Sequence, residues 1–200
     1  MKEERKSMLI VISGPSGVGK GTIYNRLLAH DPSLTFSVSV TTRAPRHGEE
    51  DGIDYFFISE EQYEDMVRKD AFLEHATVHG HSYGTPKQQI LEKMEKGLNV
   101  VLDIDPQGAR QVMAQWPDCV SIFLLPPSYK KLRERLYGRN TDDPEEIERR
   151  LGNARGEIAQ VGMYQYTVVN DDLDLAFDQV SAIITAEKQR TTRYFPVVES

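Results

Sequence analysis

Gly14-Pro15-Ser16-Gly17-Val18-Gly19-Lys20-Gly21-Thr22 packs four glycines, a lysine and two hydroxyls into nine residues, directly after the apolar run Met8 to Ser13. A helical pattern marked by Ile23 and Leu27 follows at once. The chemistry this suits is phosphate binding. Glycine lets the backbone approach an anion closely, so consecutive N–H groups and a helix N-terminus face a di- or triphosphate while Lys20 neutralises its charge. A glycine-rich turn without a ligand is the alternative, and the strand, loop and helix context argues against it. The residue after Lys20 is Gly21, and a hydroxyl follows only at Thr22, whereas a Ser or Thr next to the lysine is the usual magnesium ligand.

A second group of reactive side chains closes the apolar run Leu98 to Ile104, where Asp103 and Asp105 alternate with Ile104. Alternate residues of a strand share a face, and α/β sheets place ligands at the carboxyl ends of their strands. Either aspartate could instead cap the helix beginning near Gly108. Beside a phosphate loop, Asp103 reads as the holder of a divalent cation, directly or through water. A third group, Thr41-Thr42-Arg43-Ala44-Pro45-Arg46-His47-Gly48-Glu49, sets two arginines in a loop stiffened by proline. Such a pair suits a phosphate clamp, against the plainer reading of two solvated arginines.

The elements that must position these groups follow from periodicity. Met8 to Ser13, about Thr35 to Ser39, Leu98 to Ile104, Val120 to Leu125 and Tyr166 to Val169 are short, mostly apolar or β-branched runs of the kind a sheet covered on both faces requires. Helical patterns separate most of them: one after the glycine loop, one around Ile90, Leu91 and Met94, and others from Ser128 to Leu136, about Glu145 to Val161 and about Asp174 to Arg190. Strand, helix, parallel strand is the α/β arrangement, with five parallel strands expected. The stretch from about residue 40 to 82 breaks the rhythm. It holds Tyr55-Phe56-Phe57-Ile58, a helix capped by Ser59 with Gln62 three residues on, the run Phe72 to Val78 and a turn at Gly80, and reads as a small mixed insertion. Tyr137 to Pro144 reads as a mobile loop.

Composition excludes other classes. At 200 residues, with 39% hydrophobic and 28% charged, the chain is of one-domain size and has too much apolar content for wholesale disorder. A formal charge of -7 argues against general nucleic-acid binding. No run approaches the ~20 apolar residues of a membrane span. The single cysteine, Cys119, supports neither an internal disulfide nor a thiolate metal cage, so a cytoplasmic location is expected. The five histidines and Trp116 read as packing or surface residues, and Arg133, Arg149 and Arg155 read either as lid residues or as solvated helix charges.

The glycine loop, Ser-x-Thr-Thr-Arg-x-x-Arg-x-Gly-Glu, Asp-Gly-x-Asp-Tyr, Phe-Leu-Glu, Tyr-Gly-Thr, Leu-Asp-Ile-Asp-x-Gln-Gly and Val-Asn-Asp-Asp occur in the order and spacing of guanylate kinases. The chain resembles that family from about Leu9 to Lys188. The resemblance implies a P-loop nucleoside monophosphate kinase fold: a core over 1–39 and 83–200 with a lid at about 137–150, and a GMP-binding insertion over 40–82. It implies transfer of the ATP γ-phosphoryl group to GMP with Mg2+, and no nucleic-acid or membrane partner; association into homo-oligomers is left open.

Matched residue by residue, Gly14, Ser16, Gly17, Val18, Gly19, Lys20, Gly21 and Thr22, with Arg135, Arg139 and Asn170, are implied to bind ATP. Ser39, Arg43, Arg46, Tyr55 and Tyr83 are implied to hold the GMP phosphate, with Glu49 in the same site. Glu74, Thr85 and Asp105 are implied to read guanine, carboxylates accepting from its N–H groups and a hydroxyl donating to its oxygen. Lys20, Arg43, Arg139 and Arg150 form the implied catalytic set, and Asp103 with Thr22 the implied metal ligands. The chain departs from the family pattern at His75, His81, Ser82 and Asn140. The rival is a guanylate-kinase-like interaction domain without catalysis, in which the phosphate loop and lid are typically degraded; here Gly14 to Thr22, Asp103 and Arg139 are all present.

Overall fold

The computed structural model describes residues 3–46, 48–78, 80–138 and 144–196. In chain order the first half contains β1 (Glu3–Arg5), β2 (Leu9–Ser13), α1 (Lys20–His30), β3 (Leu34–Phe36), β4 (Val40–Thr41), β5 (Phe56–Phe57), α2 (Glu60–Arg68), β6 (Phe72–Val78), β7 (His81–Pro86) and α3 (Lys87–Glu95). The second half contains β8 (Asn99–Asp103), α4 (Pro106–Gln115), β9 (Val120–Leu125), α5 (Tyr129–Tyr137), α6 (Pro144–Ile158), β10 (Tyr166–Val169), α7 (Leu173–Lys188) and β11 (Tyr194–Pro196).

The five expected core strands form one parallel sheet in the order β10-β9-β2-β8-β3. The second of them is shorter than the sequence suggested, ending at Phe36. β2 is buried along its whole length, and its alternation sorts the two faces. Ile10 and Ile12 pack with Ile23 and Leu27 of α1 and Val180 and Ile184 of α7. Leu9 and Val11 pack with Ile90 of α3 and Ala109 and Val112 of α4. β2 lies centrally, at the point where the connections change sides of the sheet. Its carboxyl end therefore opens onto the crevice where such sheets bind ligands.

The irregular stretch builds a second sheet in the order β5-β4-β7-β6 with a small core of Val40, Tyr63 and Phe72. The sheet runs through Pro86, four residues past the expected boundary at 82, because β7 pairs with both β4 and β6. α2 starts at the expected Ser59, whose hydroxyl accepts from the Gln62 N–H while the Gln62 side chain accepts from the Ser59 N–H. This second sheet is tied to the core through Gln111 of α4, which accepts from the His75 N–H at 3.1 Å and donates to the His75 carbonyl at 2.7 Å. Near the ends of the chain, β1 and β11 pair antiparallel, with Arg5 stacked 4.3 Å over the Tyr194 ring. No helix among the described residues is long and apolar enough to cross a membrane.

Candidate active site

The glycine loop joins β2 to α1 with three glycines at positive φ: Gly14 at 149°, Gly17 at 84° and Gly19 at 101°. Space is as restrictive as conformation. A Cβ at Gly14 would sit 2.4 Å from the Leu124 carbonyl oxygen, and one at Gly19 would sit 2.5 Å from the Asn170 amide nitrogen. α1 begins at Lys20 with no side chain capping its N-terminus, so its first N–H groups face outward as an anion site. The Lys20 ammonium donates to the Gly14 carbonyl at 2.8 Å. Gly21 and Thr22 lie exposed on the first turn of α1.

Two residues matched to the ATP site are hydrogen-bonded to the backbone around the loop. Asn170, 3% exposed, donates its side-chain amide to the Val18 carbonyl at 2.8 Å. Arg135 donates to that carbonyl and to the carbonyl of Asp171, both at 3.3 Å. Arg139 and Asn140 lie outside the described residues.

Lys20, Gly14 and Ser16 open onto a cleft of about 540 Å³. The second sheet supplies its far wall through Ser39, Arg43, Arg46, Tyr55 and Tyr83. Arg43 is held ready there: both terminal nitrogens donate to the two Glu49 oxygens at 3.0 Å, and Glu49 also accepts from the Arg46 N–H at 2.7 Å. This grip keeps the Glu49 carboxyl below its ordinary range. Glu49 thus meets the cleft through Arg43. Tyr55 and Tyr83 stand edge to face, 6.0 Å between ring centres, and burial pushes the Tyr55 hydroxyl up to about 12.

Deeper in the cleft, the β6–β7 register sets Glu74 opposite Thr85, and the threonine hydroxyl donates to the carboxylate at 2.5 Å. Glu74 is 4% exposed and Thr85 fully buried. Burial, with the charge of Asp105 nearby, pushes the Glu74 carboxyl up to about 7 against the opposing pull of Thr85. The space for Glu74 exists because α4 carries Gly108, where a Cβ would lie 2.3 Å from a Glu74 oxygen. Asp105 has both roles that the sequence left open. It caps α4, accepting from the Gly108 N–H at 2.8 Å, and it lines the cleft.

Asp103 ends β8 at the cleft, between the loop and the second sheet. Among the described residues no group of three or more His, Cys, Asp or Glu side chains is placed to hold a metal on its own. Asp105 and Ser16 line the same cleft and, like Asp103, offer oxygen donors. That set fits a hard cation held by one or two carboxylates and completed by phosphate oxygens and water.

Of the fourth wall, the sequence singled out Arg150 but not its neighbours Glu146, Asn153 and Glu157. α6 lines the cleft with Glu146, Arg149, Arg150, Asn153 and Glu157, while Ile147 and Ala154 on its neighbouring face pack with Leu132 and Leu136 of α5. Arg149 is therefore a cleft residue. Arg133 pairs with Glu148, and Arg155 lies over the Tyr129 ring, as surface residues do. The signal available was the recurrence of polar residues at 146, 149, 150, 153 and 157, one narrow stripe of a helix.

A family model described as guanylate kinase matches residues 6–187. The chain is 50% identical over 193 residues to the guanylate kinase of Caldanaerobacter subterraneus subsp. tengcongensis, covering 96% of this chain and 94% of the relative. It is 47% identical over 191 residues to that of Halalkalibacterium halodurans, with coverage of 96% and 94%. The crystal structure of guanylate kinase from Anaplasma phagocytophilum matches with a TM-score of 0.79 at 35% identity, over 96% of this chain and 91% of that one.

Proposed function

The chain belongs to the guanylate kinase family, and from that premise we propose that its cleft transfers the γ-phosphoryl group of ATP to GMP, giving ADP and GDP. The observation that carries this is a juxtaposition: Lys20, Arg43 and the buried Glu74 all face one cleft. The loop N–H groups and the open N-terminus of α1 take the ATP phosphates, and Lys20 sets positive charge beside them. Ser39, Arg43, Arg46, Tyr55 and Tyr83 take the GMP phosphate. Glu74 and Asp105 accept from the N–H groups of guanine, and Thr85 donates its hydroxyl to Glu74 from behind the cleft lining.

Mg2+ is the cation we assign, with Asp103 as its holder; when bound it neutralises charge on the oxygens of the transferring phosphates. Thr22, exposed on α1, offers no support for its own place in that set. Transfer to a phosphate oxygen requires no general base, because the acceptor is already an anion. What the chain contributes is alignment and charge, with Arg150 on α6 and Arg139 as lid cations closing on the transferred group. We place the reaction in the cytoplasm, with small nucleotides as its substrates.

A coupled assay with ATP and the four common nucleoside monophosphates tests the reading. GMP is expected to turn over, and AMP, CMP and UMP to lag by about two orders of magnitude or more in kcat/KM. Equal use of a second acceptor would overturn it. Because the arginines of the second sheet and of α6 must converge on one group, the two arms are expected to close over the bound pair and exclude water. Small-angle scattering with GMP and a nonhydrolysable ATP analogue should give a smaller radius of gyration than the free protein, and an unchanged radius counts against closure.

A further inference from the structure

One carboxylate in the α6 wall uses both of its oxygens on consecutive arginines. Glu146 accepts from the Arg150 Nε at 2.9 Å with one oxygen and from an Arg149 terminal nitrogen with the other. The Glu146 and Arg150 side chains are 19% and 11% exposed, unlike the solvated pairs of an open helix face. Binding at Nε fixes the plane of the guanidinium and leaves its terminal nitrogens to other partners. One of them reaches the Ser16 hydroxyl of the phosphate loop at 3.4 Å. On the opposite arm a carboxylate also holds an arginine, but Glu49 grips Arg43 through both of its terminal nitrogens.

We propose that Glu146 is a positioning residue that presents Arg150 to the transferring phosphates, an inference that rests on the catalytic reading of Arg150. A free arginine side chain samples many rotamers, and a group pre-oriented toward developing charge does not have to be ordered during the reaction. The carboxylate also carries a cost, since it repels phosphate. Arg149 and Arg150 each donate to it, which offsets that repulsion. Both side chains line the cleft, whereas α6 is packed through Ile147 and Ala154, so loss of the pair should register in catalysis more than in folding.

A double-mutant cycle of Glu146→Gln and Arg150→Ala, with kcat, both KM values and thermal melting measured for all four proteins, tests the inference. Glutamine keeps the length of the side chain and removes its charge. Glu146→Gln is expected to lower kcat about tenfold, leave the KM for GMP within about twofold and leave the melting temperature unchanged. Arg150→Ala should lower kcat further, and the double variant should be no slower than Arg150→Ala alone, because Glu146 acts through Arg150. An unchanged or raised kcat in Glu146→Gln overturns the inference, as do multiplicative losses in the double variant or a melting temperature that falls in step with kcat. A full-activity Arg150→Ala would instead remove the catalytic reading of Arg150 on which the inference stands.

Discussion

Lys20→Ala is expected to yield a folded protein with kcat/KM for phosphoryl transfer lowered by about two to three orders of magnitude, the scale of losing one preorganised charge at a transferring group. The structure explains why the effect should be confined to catalysis. The Lys20 side chain touches the Gly14 and Pro15 carbonyls of its own loop and belongs to neither face of the sheet core. Truncation therefore opens no cavity, and the melting temperature should move by no more than about 2 °C. The loop keeps its shape through other contacts, Asn170 and Arg135 to the Val18 carbonyl. Nucleotide binding should consequently survive in weakened form while turnover collapses. A variant retaining most of its turnover would remove Lys20 from the mechanism, and one that failed to fold would show that the ammonium's two carbonyl contacts hold the loop together.

The parts of this molecule that were readable in advance are those where one physical constraint acts alone. β2 and β9 are mostly apolar runs, interrupted only by the buried Ser13 and Ser121, because both faces of the sheet are covered, and both appear as expected. Ser59 with Gln62 marks a helix start through two reciprocal hydrogen bonds. Other features depend on contacts between distant segments. Glu3-Glu4-Arg5 has no apolar signal and becomes a strand only because Tyr194–Pro196 runs beside it. β4 and β5 are two-residue parallel partners joined by a long loop, too short for any periodicity to register.

The site divides in the same way. Arg43, Glu74 and Asp105 stand in motifs whose order along the chain pointed to the cleft they now line. Asn170 and Arg135, matched to the nucleotide, also bind the loop backbone at the Val18 carbonyl, a contact between distant segments that no spacing encodes. Glu146 and Asn153 become cleft residues through the direction in which α6 leans on α5. Glu49, read as part of the acceptor site, is hydrogen-bonded to Arg43, which lines the cleft.

Glu74→Gln is expected to separate function from stability in opposite directions. The wild-type carboxyl, raised from 4.5 to about 7, binds its proton more tightly folded than unfolded. The folded state therefore loses stability as pH rises from about 4.5 through 7, and above that the full penalty applies, on the order of 3 kcal/mol at its upper limit. Glutamine has no charge to bury and still offers an oxygen to the Thr85 hydroxyl that now donates to Glu74. The variant should melt several degrees higher than wild type at pH 8 and close to it at pH 4.5. Its catalysis should move the other way. Guanine presents two N–H groups to a carboxylate, and an amide presents N–H donors of its own, so kcat/KM for GMP should fall by about two orders of magnitude while the KM for ATP stays within about twofold. Adenine lacks the N2 amino group and has an unprotonated N1, which would leave the Glu74 charge desolvated against a lone pair; AMP should remain a poor acceptor in wild type. Melting curves at the two pH values, with steady-state kinetics for both acceptors, measure all of this on the same preparations. A variant less stable than wild type at pH 8 would show that Glu74 is kept for its packing. Unchanged GMP efficiency in the variant would show that some other group reads the base.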